Sequence, residues 1–281
     1  MSILWFSSQS IGGRNEQQDS CLVLIGGNAE STLAVVADGA GGHQGGRDAS
    51  QKVVEVARRI FHSRGGKLDD PEAALEDLCR ESHDAINALG PDPKHAPRST
   101  VAALYLCPGK AAWVHVGDSR LYRLRDRRIA EKTRDHTMAQ ILLDQGEIKD
   151  SEVGAHPDRV KLLKALGGED PVKPSLGSAN LAEGDRFLLC SDGFWENLRL
   201  REIEKLMKGQ LSQRALDLIV AKAAGRNGNR GDNVTACVIG LGSHAKSRCT
   251  SSGLAMVGLT ALASALVADR AIKVLSRSAK Q

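Results

Sequence analysis

The stretch Val35-Val36-Ala37-Asp38-Gly39-Ala40-Gly41-Gly42-His43 joins an apolar, β-prone run to a carboxylate and then to several glycines. Val35 to Ala37 predict the end of a buried strand, so Asp38 would lie at a rigid strand end. Gly39 would let a backbone carbonyl approach the same point. Because hard divalent cations bind through oxygen, the stretch predicts a metal ligand at this strand end.

Three further acidic motifs lie at the edges of apolar, β-prone runs. They are Gly117-Asp118-Ser119-Arg120 and Ser191-Asp192-Gly193, each after a strand-like run, and Gly231-Asp232-Asn233 before one. An isolated Asp-Gly is most often a turn, so no single motif identifies a site. Together the four motifs indicate a metal site.

Strand-like runs predominate around these motifs. They lie near residues 3–8, 20–25, 32–37, 100–107, 111–117, 120–124, 186–190 and 234–240. Helical patterns occupy 47–62 and 71–89, with shorter ones at 138–145, 158–166, 201–207 and 212–224. Because strands and helices do not alternate strictly, we predict α+β layers rather than a doubly wound parallel sheet.

Length and composition favour one core domain followed by a tail. The 281 residues are 41% apolar, which is ample for a sizeable core. From Gly240 onward small and polar residues predominate, as in a flexible linker. We therefore predict a core domain over 1–240, a linker over 241–252 and an apolar, basic helical tail over 253–281.

Two interpretations of the almost uncharged segment 253–268 stay open. Ala261 and Ala265 have the spacing of small residues in membrane helix pairs, which favours weak membrane association. The segment has only 16 residues, whereas a spanning helix needs about 20, and four cations follow it. A soluble or partner-binding helix is the second interpretation.

Charge and cysteine content constrain the partners and the compartment. The net charge is +4, from 38 basic and 34 acidic residues, and no basic run is interleaved with aromatic residues. Nucleic acid is therefore not an expected partner. The six cysteines form no Cys-x-x-Cys pair, and the N-terminus lacks the basic region of a secretory signal. We expect reduced thiols and a cytoplasmic location.

The order of the motifs, with Arg14 and Gln17-Gln18-Asp19 upstream, resembles the metal-dependent Ser/Thr protein phosphatases of the PPM or PP2C family, bacterial type. The resemblance spans about residues 5–240. It implies a PP2C-like four-layer α-β-β-α sandwich, in which helices flank two antiparallel sheets and a cleft at one end holds the metals. Further matching stretches are Arg98-Ser99-Thr100, Val116 to Tyr122, Thr133 to Thr137, Ala155 to Arg159, Ala165-Leu166-Gly167 and Arg230 to Thr235.

The resemblance also implies two Mn²⁺ or Mg²⁺ ions. Asp38 would bridge them, and the Gly39 carbonyl would bind one of them. Asp192 and Asp232 would complete the other. Asp118 would share a third, weaker ion with Asp192, as in bacterial members.

The implied chemistry is hydrolysis without a protein nucleophile. Two close cations lower the pKa of a shared water, and the resulting hydroxide attacks phosphorus. Arg14 would hold two phosphate oxygens through its planar guanidinium. Gln17-Gln18 stands where the family has Asn-Glu, so an outer-sphere contact would come from a neutral amide. Ala40 stands where animal members have a proton-donating histidine, so no general acid is assigned.

Other readings of single motifs are weaker. Gly39 to Gly46 lacks dinucleotide-loop spacing, and Ser119 has no orienting Asp-x-x-His after it. Trp195 is predicted to pack beneath the site. The segment 138–160 resembles the family's flap. Loop histidines at 43, 136 and 156 are interpreted as hydrogen-bonding cappers, and the arginines at 123, 125, 127 and 128 as a solvated hairpin end. Docking of acidic phosphopeptides is the alternative for these arginines.

The predicted function is metal-dependent hydrolysis of phosphoserine and phosphothreonine in proteins. The partners would be phosphoprotein substrates and a Ser/Thr kinase counterpart. A catalytically inactive phosphoprotein-binding or regulatory module is the alternative, and a phosphatase of small phosphorylated metabolites is a second rival. Retention of the aspartates and Arg14 argues against the inactive module.

Overall fold

Eleven strands in two antiparallel sheets form the centre of the part of the chain that the structure describes. The structure is a computed structural model, and it describes residues 2–27, 30–40, 42–226, 228 and 231–242. The first sheet has the order β1 (Ser2–Ser10), β11 (Val234–Gly242), β10 (Arg186–Cys190), β7 (Arg120–Arg125) and β8 (Arg128–Lys132). The second has the order β2 (Asp19–Ile25), β3 (Thr32–Ala40), β5 (Val101–Cys107), β6 (Lys110–Val116) and β9 (Ser175–Asn180), with β4 (Arg98–Ser99) on β3.

Helices cover the outer face of each sheet. They are α1 (Gly42–Ser63) and α2 (Pro71–Asn87) on the second sheet, and α4 (Asp192–Trp195), α5 (Leu200–Lys208) and α6 (Gln213–Arg226) on the first. A short α3 (Met138–Asp144) and two 3₁₀ turns, Val153–Ala155 and Pro157–Val160, lie between β8 and β9. The layers are therefore α-β-β-α, and the predicted four-layer α+β sandwich is confirmed.

The strand β3 shows why the sandwich forms. Its side chains alternate, as in any strand, but both faces are apolar and buried. Val35 and Ala37 pack toward the helices, whereas Ala34 and Val36 belong to the core between the two sheets. A strand of this kind is stable only with a layer on each side.

The two long helices form where they were predicted, with small differences at their ends. Asp70 caps α2 by accepting a 3.1 Å hydrogen bond from the Ala73 amide, and Pro71 is the first helical residue. The first helix begins at Gly42, earlier than the predicted 47. Its early start brings the first turn directly against the end of β3.

The predicted helix over 158–166 is wrong. Only the 3₁₀ turn Pro157–Val160 forms there. Beyond it, Leu162 bridges Thr137 and Leu166 bridges Ser99. Backbone pairing with distant residues therefore replaces the helix that the leucine spacing had indicated.

Strands β8 and β9 were missed because their sequences carry little β-branched or apolar signal. The strand β9, Ser-Leu-Gly-Ser-Ala-Asn, pairs in register with β6. Gly177 allows the Trp113 indole to lie over it, since an added Cβ would be 2.4 Å from that ring. Tertiary contact, and not local propensity, determines this strand.

The hairpin β7–β8 corrects the interpretation of the arginine run. Arg125 binds both carboxylate oxygens of Asp185, at 2.8 and 2.6 Å, and Arg123 is buried beside the same carboxylate. At the tip, Asp126 and Arg127 adopt left-handed backbone angles, with φ of 50° and 60°. Only the tip of the run is therefore a solvated hairpin end.

The remaining predictions concern thiols, membranes and the tail. Cys21, Cys79, Cys107, Cys190 and Cys237 are free thiols. Among the described residues, no helix combines the length and apolar character that a bilayer crossing needs. Leu241 and Gly242, assigned to the linker, are the last residues of β11. The rest of the predicted linker and the whole tail 253–281 lie outside the described residues.

Acid is expected to destabilise the protein through His136. This imidazole stacks on His115 with ring centroids 4.6 Å apart, and its Nδ1 accepts a hydrogen bond from the Gly117 amide. Burial, then the charges of His115 and Lys164, lower the pKa of His136 to about 3. Since the unfolded side chain titrates near 6.5, the unfolded state binds the extra proton between about pH 6.5 and pH 3. Stability from the neutral ring is therefore present above that window and is lost as the pH falls through it.

Urea unfolding at pH 7.5 and pH 5.0 measures this effect. We expect the wild type to lose more stability on acidification than His136→Asn, with a difference of at most ~1.4 kcal/mol per pH unit. Equal losses in the two proteins would show that His136 does not contribute.

Candidate metal centre

The four predicted aspartates line one cavity at one end of the two sheets. The cavity has a volume of about 510 Å³. Its walls include all of the predicted catalytic and metal-binding residues, which are Asp38, Gly39, Asp118, Asp192, Asp232 and Arg14. Side chains that are up to 218 positions apart in the chain thus share one space.

The two sheets contribute different aspartates. Asp38 lies near the end of β3 in the second sheet. Asp192 follows β10 and begins α4, and Asp232 immediately precedes β11, both in the first sheet. Asp118 lies where the chain passes from β6 to β7, between the sheets. The centre exists only because the sheets are stacked with these strand ends together.

The backbone at Asp38 is held by Ser99, the last residue of β4, and by Thr100, which follows it. The Thr100 amide donates to the Asp38 carbonyl at 2.8 Å, and the Ser99 hydroxyl donates to the same oxygen at 3.0 Å. The Asp38 amide donates to the Thr100 hydroxyl at 3.1 Å. With its backbone fixed on both sides, Asp38 presents its carboxylate to the cavity from a rigid position.

Burial and mutual repulsion disfavour charge on these carboxylates. Burial, followed by the charges of Asp19 and Asp192, raises the pKa of Asp38 well above its usual value. Burial and the charge of Asp192 likewise raise the pKa of Asp118. For Asp192, burial and the charge of Asp232 raise the pKa to about 6. Such a cluster ionises fully at neutral pH only beside a positive charge.

The donor set fits a divalent cation. All candidate ligand atoms are oxygens, and the buried Oδ1 atom of Asp192 has no hydrogen-bond partner. Within the described ranges, no three or more His, Cys, Asp or Glu side chains have the spacing of a closed metal site. The carboxylates instead approach from different walls. This open arrangement suits ions that keep part of their water shell, as Mg²⁺ does.

Arg14 lies at the mouth of the cavity and is bonded to one of the carboxylates. Its Nη2 atom donates to Asp232 Oδ2 at 2.7 Å, and the two side chains are 55% and 39% exposed. The hydrogen bond and the charge of Asp232 raise the pKa of Arg14. The guanidinium therefore faces the acidic cluster.

Comparison with known proteins identifies the fold family. Residues 10–217 match the family described as "Protein phosphatase 2C". The chain belongs to the protein phosphatase 2C family.

Two solved structures and one curated relative illustrate the likeness within the phosphatase 2C family. The serine/threonine phosphatase PstP/Ppp of Mycobacterium tuberculosis superposes with a TM-score of 0.74 and 31% identity, covering 86% of this chain and 99% of that one. A PstP catalytic domain in complex with two manganese ions gives a TM-score of 0.71 and 28% identity, covering 86% and 99%.

The curated relative is longer than this chain. Serine/threonine protein phosphatase PstP of M. tuberculosis is 36% identical over 214 residues, which are 75% of this chain and 40% of that protein. The matched region thus spans less than half the length of this relative.

One buried carboxylate beside this cavity was not among the predicted site residues. Asp19 on β2 pairs in register with Asp38 on β3. It is buried, accepts a 2.8 Å hydrogen bond from the Ser191 hydroxyl, and leaves its Oδ1 atom without a partner. Burial raises the pKa of Asp19 to about 7. The sequence showed Asp19 as part of the motif after Gln17-Gln18, but it did not indicate that this carboxylate is buried and paired in register with Asp38.

The two glutamines occupy different environments. Gln17 accepts a 3.0 Å hydrogen bond from the Asp19 amide and donates to the Ser10 carbonyl, so its amide group orders the loop. Gln18 lines the cavity. Only Gln18 is therefore placed to serve the neutral-amide contact that the sequence suggested.

Trp195 packs beneath the site, and its contacts support Asp118. It is only 5% exposed, and its Nε1 atom donates to the Asp118 carbonyl at 2.9 Å. The Arg120 guanidinium carbon lies 3.3 Å from the centre of its ring, and Arg120 also binds Asp135 through two hydrogen bonds. This buried group fixes the β6–β7 connection that carries Asp118.

The predicted capping role suits two of the three loop histidines. His156 accepts a hydrogen bond from the Asp158 amide, and His136 accepts one from the Gly117 amide. The side chain of His43 lies outside the described residues. Ala40 lines the cavity and supplies no proton donor there.

Gly39→Ala is expected to disrupt the centre. An added Cβ would lie 1.8 Å from the Gly46 carbonyl oxygen, so the end of β3 would have to move away from α1. We expect a loss of about 1–3 kcal/mol or more in the free energy of unfolding, measured with urea. Gly225→Ala is the control, because an added Cβ at this exposed helical position meets nothing within 4 Å. A Gly39→Ala protein as stable as the Gly225→Ala protein would contradict the argument.

Proposed function

We propose that this protein removes phosphate from phosphoserine and phosphothreonine in proteins, in a Mn²⁺- or Mg²⁺-dependent reaction. The observation that carries this proposal is the sharing of one cavity by Asp38, Asp118, Asp192 and Asp232, with Arg14 at its mouth. Membership of the phosphatase 2C family supports it, as do the two manganese ions in the PstP catalytic domain.

The aspartates and Gly39 are the groups that would hold the ions. Asp38, the Gly39 carbonyl, Asp192 and Asp232 would together hold two of them. Asp118 and Asp192 would serve a third. When bound, the ions would supply an activated water and neutralise charge at phosphorus. The cations would offset the repulsion among the carboxylates. The Oδ1 atom of Asp192, which has no hydrogen-bond partner, would bind a cation.

Arg14 would bind the phosphate of the substrate. Its guanidinium now donates to Asp232 from an exposed position, so it can exchange that carboxylate for phosphate oxygens when an ion takes Asp232. A planar guanidinium binds two phosphate oxygens at once and offsets the charge of the dianion. Arg14 would thus orient phosphorus toward the aspartate cluster.

The substrates would be phosphoproteins of a cytoplasmic signalling system, and a Ser/Thr protein kinase would be the counterpart. Asp38 and Asp118 are buried beside other carboxylates, so the cavity would accept a negatively charged phosphate group only when cations are bound. Retention of all four aspartates together with Arg14 supports an active enzyme over a module that only binds phosphoproteins.

Metal-dependent turnover tests the proposal. Purified protein is expected to hydrolyse a phosphothreonine peptide with Mn²⁺ and to lose activity in excess chelator. A sugar phosphate, assayed in parallel, is expected to be a much poorer substrate. Turnover in excess chelator would overturn the mechanism, and absence of turnover with either ion would favour the binding module.

A further inference from the structure

A strongly basic surface surrounds α5, on the side of the first sheet away from the second. One cavity of about 410 Å³ lies between this helix and the β7–β8 hairpin tip, and Arg127, Arg201 and Lys205 line it. A second cavity, of about 860 Å³, lies between α5 and the segment 149–154, and Lys149 and Arg201 line it. Arg201 lines both cavities, and the two neighbouring cavities together are called here the basic groove.

The cations of the basic groove are not neutralised by the protein itself. The side chains of Arg127, Lys149, Arg201 and Lys205 are exposed, and none forms an ion pair with another described residue.

The acidic side chains in the groove are already occupied. Asp150 pairs with Lys132, Glu204 pairs with Lys208, and Glu196 pairs with Arg159 at 2.8 Å. An excess of free positive charge therefore remains in a concave surface.

The backbone holds these cations in place. Arg201 and Lys205 are one helical turn apart on the same face of α5, and the hidden face carries Ile203, Leu206 and Met207. Arg127 occupies a left-handed position, with φ of 60°, at the tip of a two-residue hairpin turn. Because glycine or asparagine would fit that position better, an arginine there is a local conflict of the kind that functional positions tolerate.

The groove begins beside the metal centre. Glu196 lines the groove, and its partner Arg159 precedes Val160, which lines the cavity of the aspartates. A chain bound at the aspartates can therefore continue past this ion pair into the groove. The aspartate cavity itself would repel acidic residues, but the groove would attract them.

We propose that the basic groove binds an acidic segment of the phosphoprotein substrate, while the phosphorylated residue occupies the aspartate cavity. This inference rests on the proposed function and extends it to the class of substrate. A concave surface fits an extended chain better than a flat bilayer. The two aromatic residues that line the groove, Tyr122 and Trp195, are only 1% and 5% exposed, so they offer little surface on which the bases of a single-stranded nucleic acid could stack.

The test uses direct binding and turnover on the full chain. The variant Arg127→Glu/Arg201→Glu/Lys205→Glu reverses three charges of the groove. Arg58→Glu is the matched control, since Arg58 is an exposed helical arginine without an ion pair on α1. Binding of a fluorescein-labelled peptide of alternating Glu and Ser is followed by anisotropy without added metal, so the readout does not depend on catalysis.

We expect the triple variant to lose peptide binding at least about tenfold, and its kcat/KM on an acidic phosphothreonine peptide to fall similarly. Hydrolysis of p-nitrophenyl phosphate should be unchanged, as should both readouts in the Arg58→Glu protein. If the wild type and the triple variant bound the peptide equally well, the proposal that the basic groove binds acidic segments would be rejected. Binding to phosphatidylserine vesicles that requires the three cations, without peptide binding, would overturn it in favour of a lipid surface.

Failure of the groove and failure of the proposed function give different results. If the wild type bound the acidic peptide through the three cations but hydrolysed no phosphate, the enzymatic assignment would fail and the groove would stand as a binding surface. If hydrolysis proceeded with identical kcat/KM for acidic and neutral phosphopeptides, the assignment would stand and the groove would be rejected as a substrate site.

Discussion

Replacing Asp192 with alanine is expected to lower Mn²⁺-dependent hydrolysis of p-nitrophenyl phosphate by about 10³-fold. Asp192 begins α4 at the cavity wall, and its carboxylate interacts with Asp38 and Asp232. The proposed function assigns it both to the pair of ions and to the third ion. Without it, the cluster would hold its cations weakly, and phosphorus would lose the charge neutralisation that hydrolysis needs.

Thermal unfolding separates this loss from misfolding. In the absence of metal, Asp192→Ala should be at least as stable as the wild type, because one buried, mutually repelling carboxylate is gone. Excess Mn²⁺ should stabilise the wild type, by about 2.7 kcal/mol at a hundred times the dissociation constant, but not the variant. Asp69→Ala, at an 89% exposed side chain, is the control. Full activity in Asp192→Ala would refute the proposed centre.

The second large effect is expected at the buried pair of Arg120 and Asp135. Their side chains are only 8% and 1% exposed, and two hydrogen bonds of 2.8 and 2.6 Å join them. Burial alone would lower the pKa of Arg120, but the facing Tyr122 and Asp135 outweigh it and raise the pKa. Asp135→Ala would leave a buried guanidinium without its counter-charge, which costs about 3–5 kcal/mol in similar pairs.

Urea unfolding of three proteins tests this expectation. Asp135→Ala should be strongly destabilised, whereas Asp77→Ala, which removes a more exposed carboxylate bound by Arg64 and Arg80, should lose less than ~1 kcal/mol. Arg120→Met with Asp135→Leu should recover much of the loss, since neither charge then remains buried. An Asp135→Ala protein no weaker than Asp77→Ala would show that solvent reaches Arg120.

The sequence predicted most of the fold because the strands that form its centre carry their own signal. β3 is apolar from Leu33 to Ala37, and β10 and β11 are mostly apolar, so their positions follow from composition. The sequence of β9 carries no such signal. This strand forms because it packs against Trp113 on the neighbouring strand. The leucines at 162, 163 and 166 had helical spacing, but backbone pairing with Thr137 and Ser99 overrides it.

The site was predictable to the extent that its residues occur in ordered motifs. The motif order indicated which aspartates to group, and the fold brings them to one cavity. The role of Asp19 could not be seen, because it depends on the register between β2 and β3. The sequence also could not show which of the four arginines are held by an ion pair. Arg123 and Arg125 bind Asp185, which lies 60 or more positions away in the chain.

The division of the aspartates between two stacked sheets makes the chemistry sensitive to sliding. A slip of one sheet by a single residue, about 3.4 Å, would carry Asp38 away from Asp192 without breaking any hydrogen bond within either sheet. The side chains between the layers, such as Leu104, Phe187 and Ile239, oppose that shear, together with the hydrogen bond from Ser191 to Asp19. Small cavities introduced there should therefore impair turnover at temperatures where the protein is still folded.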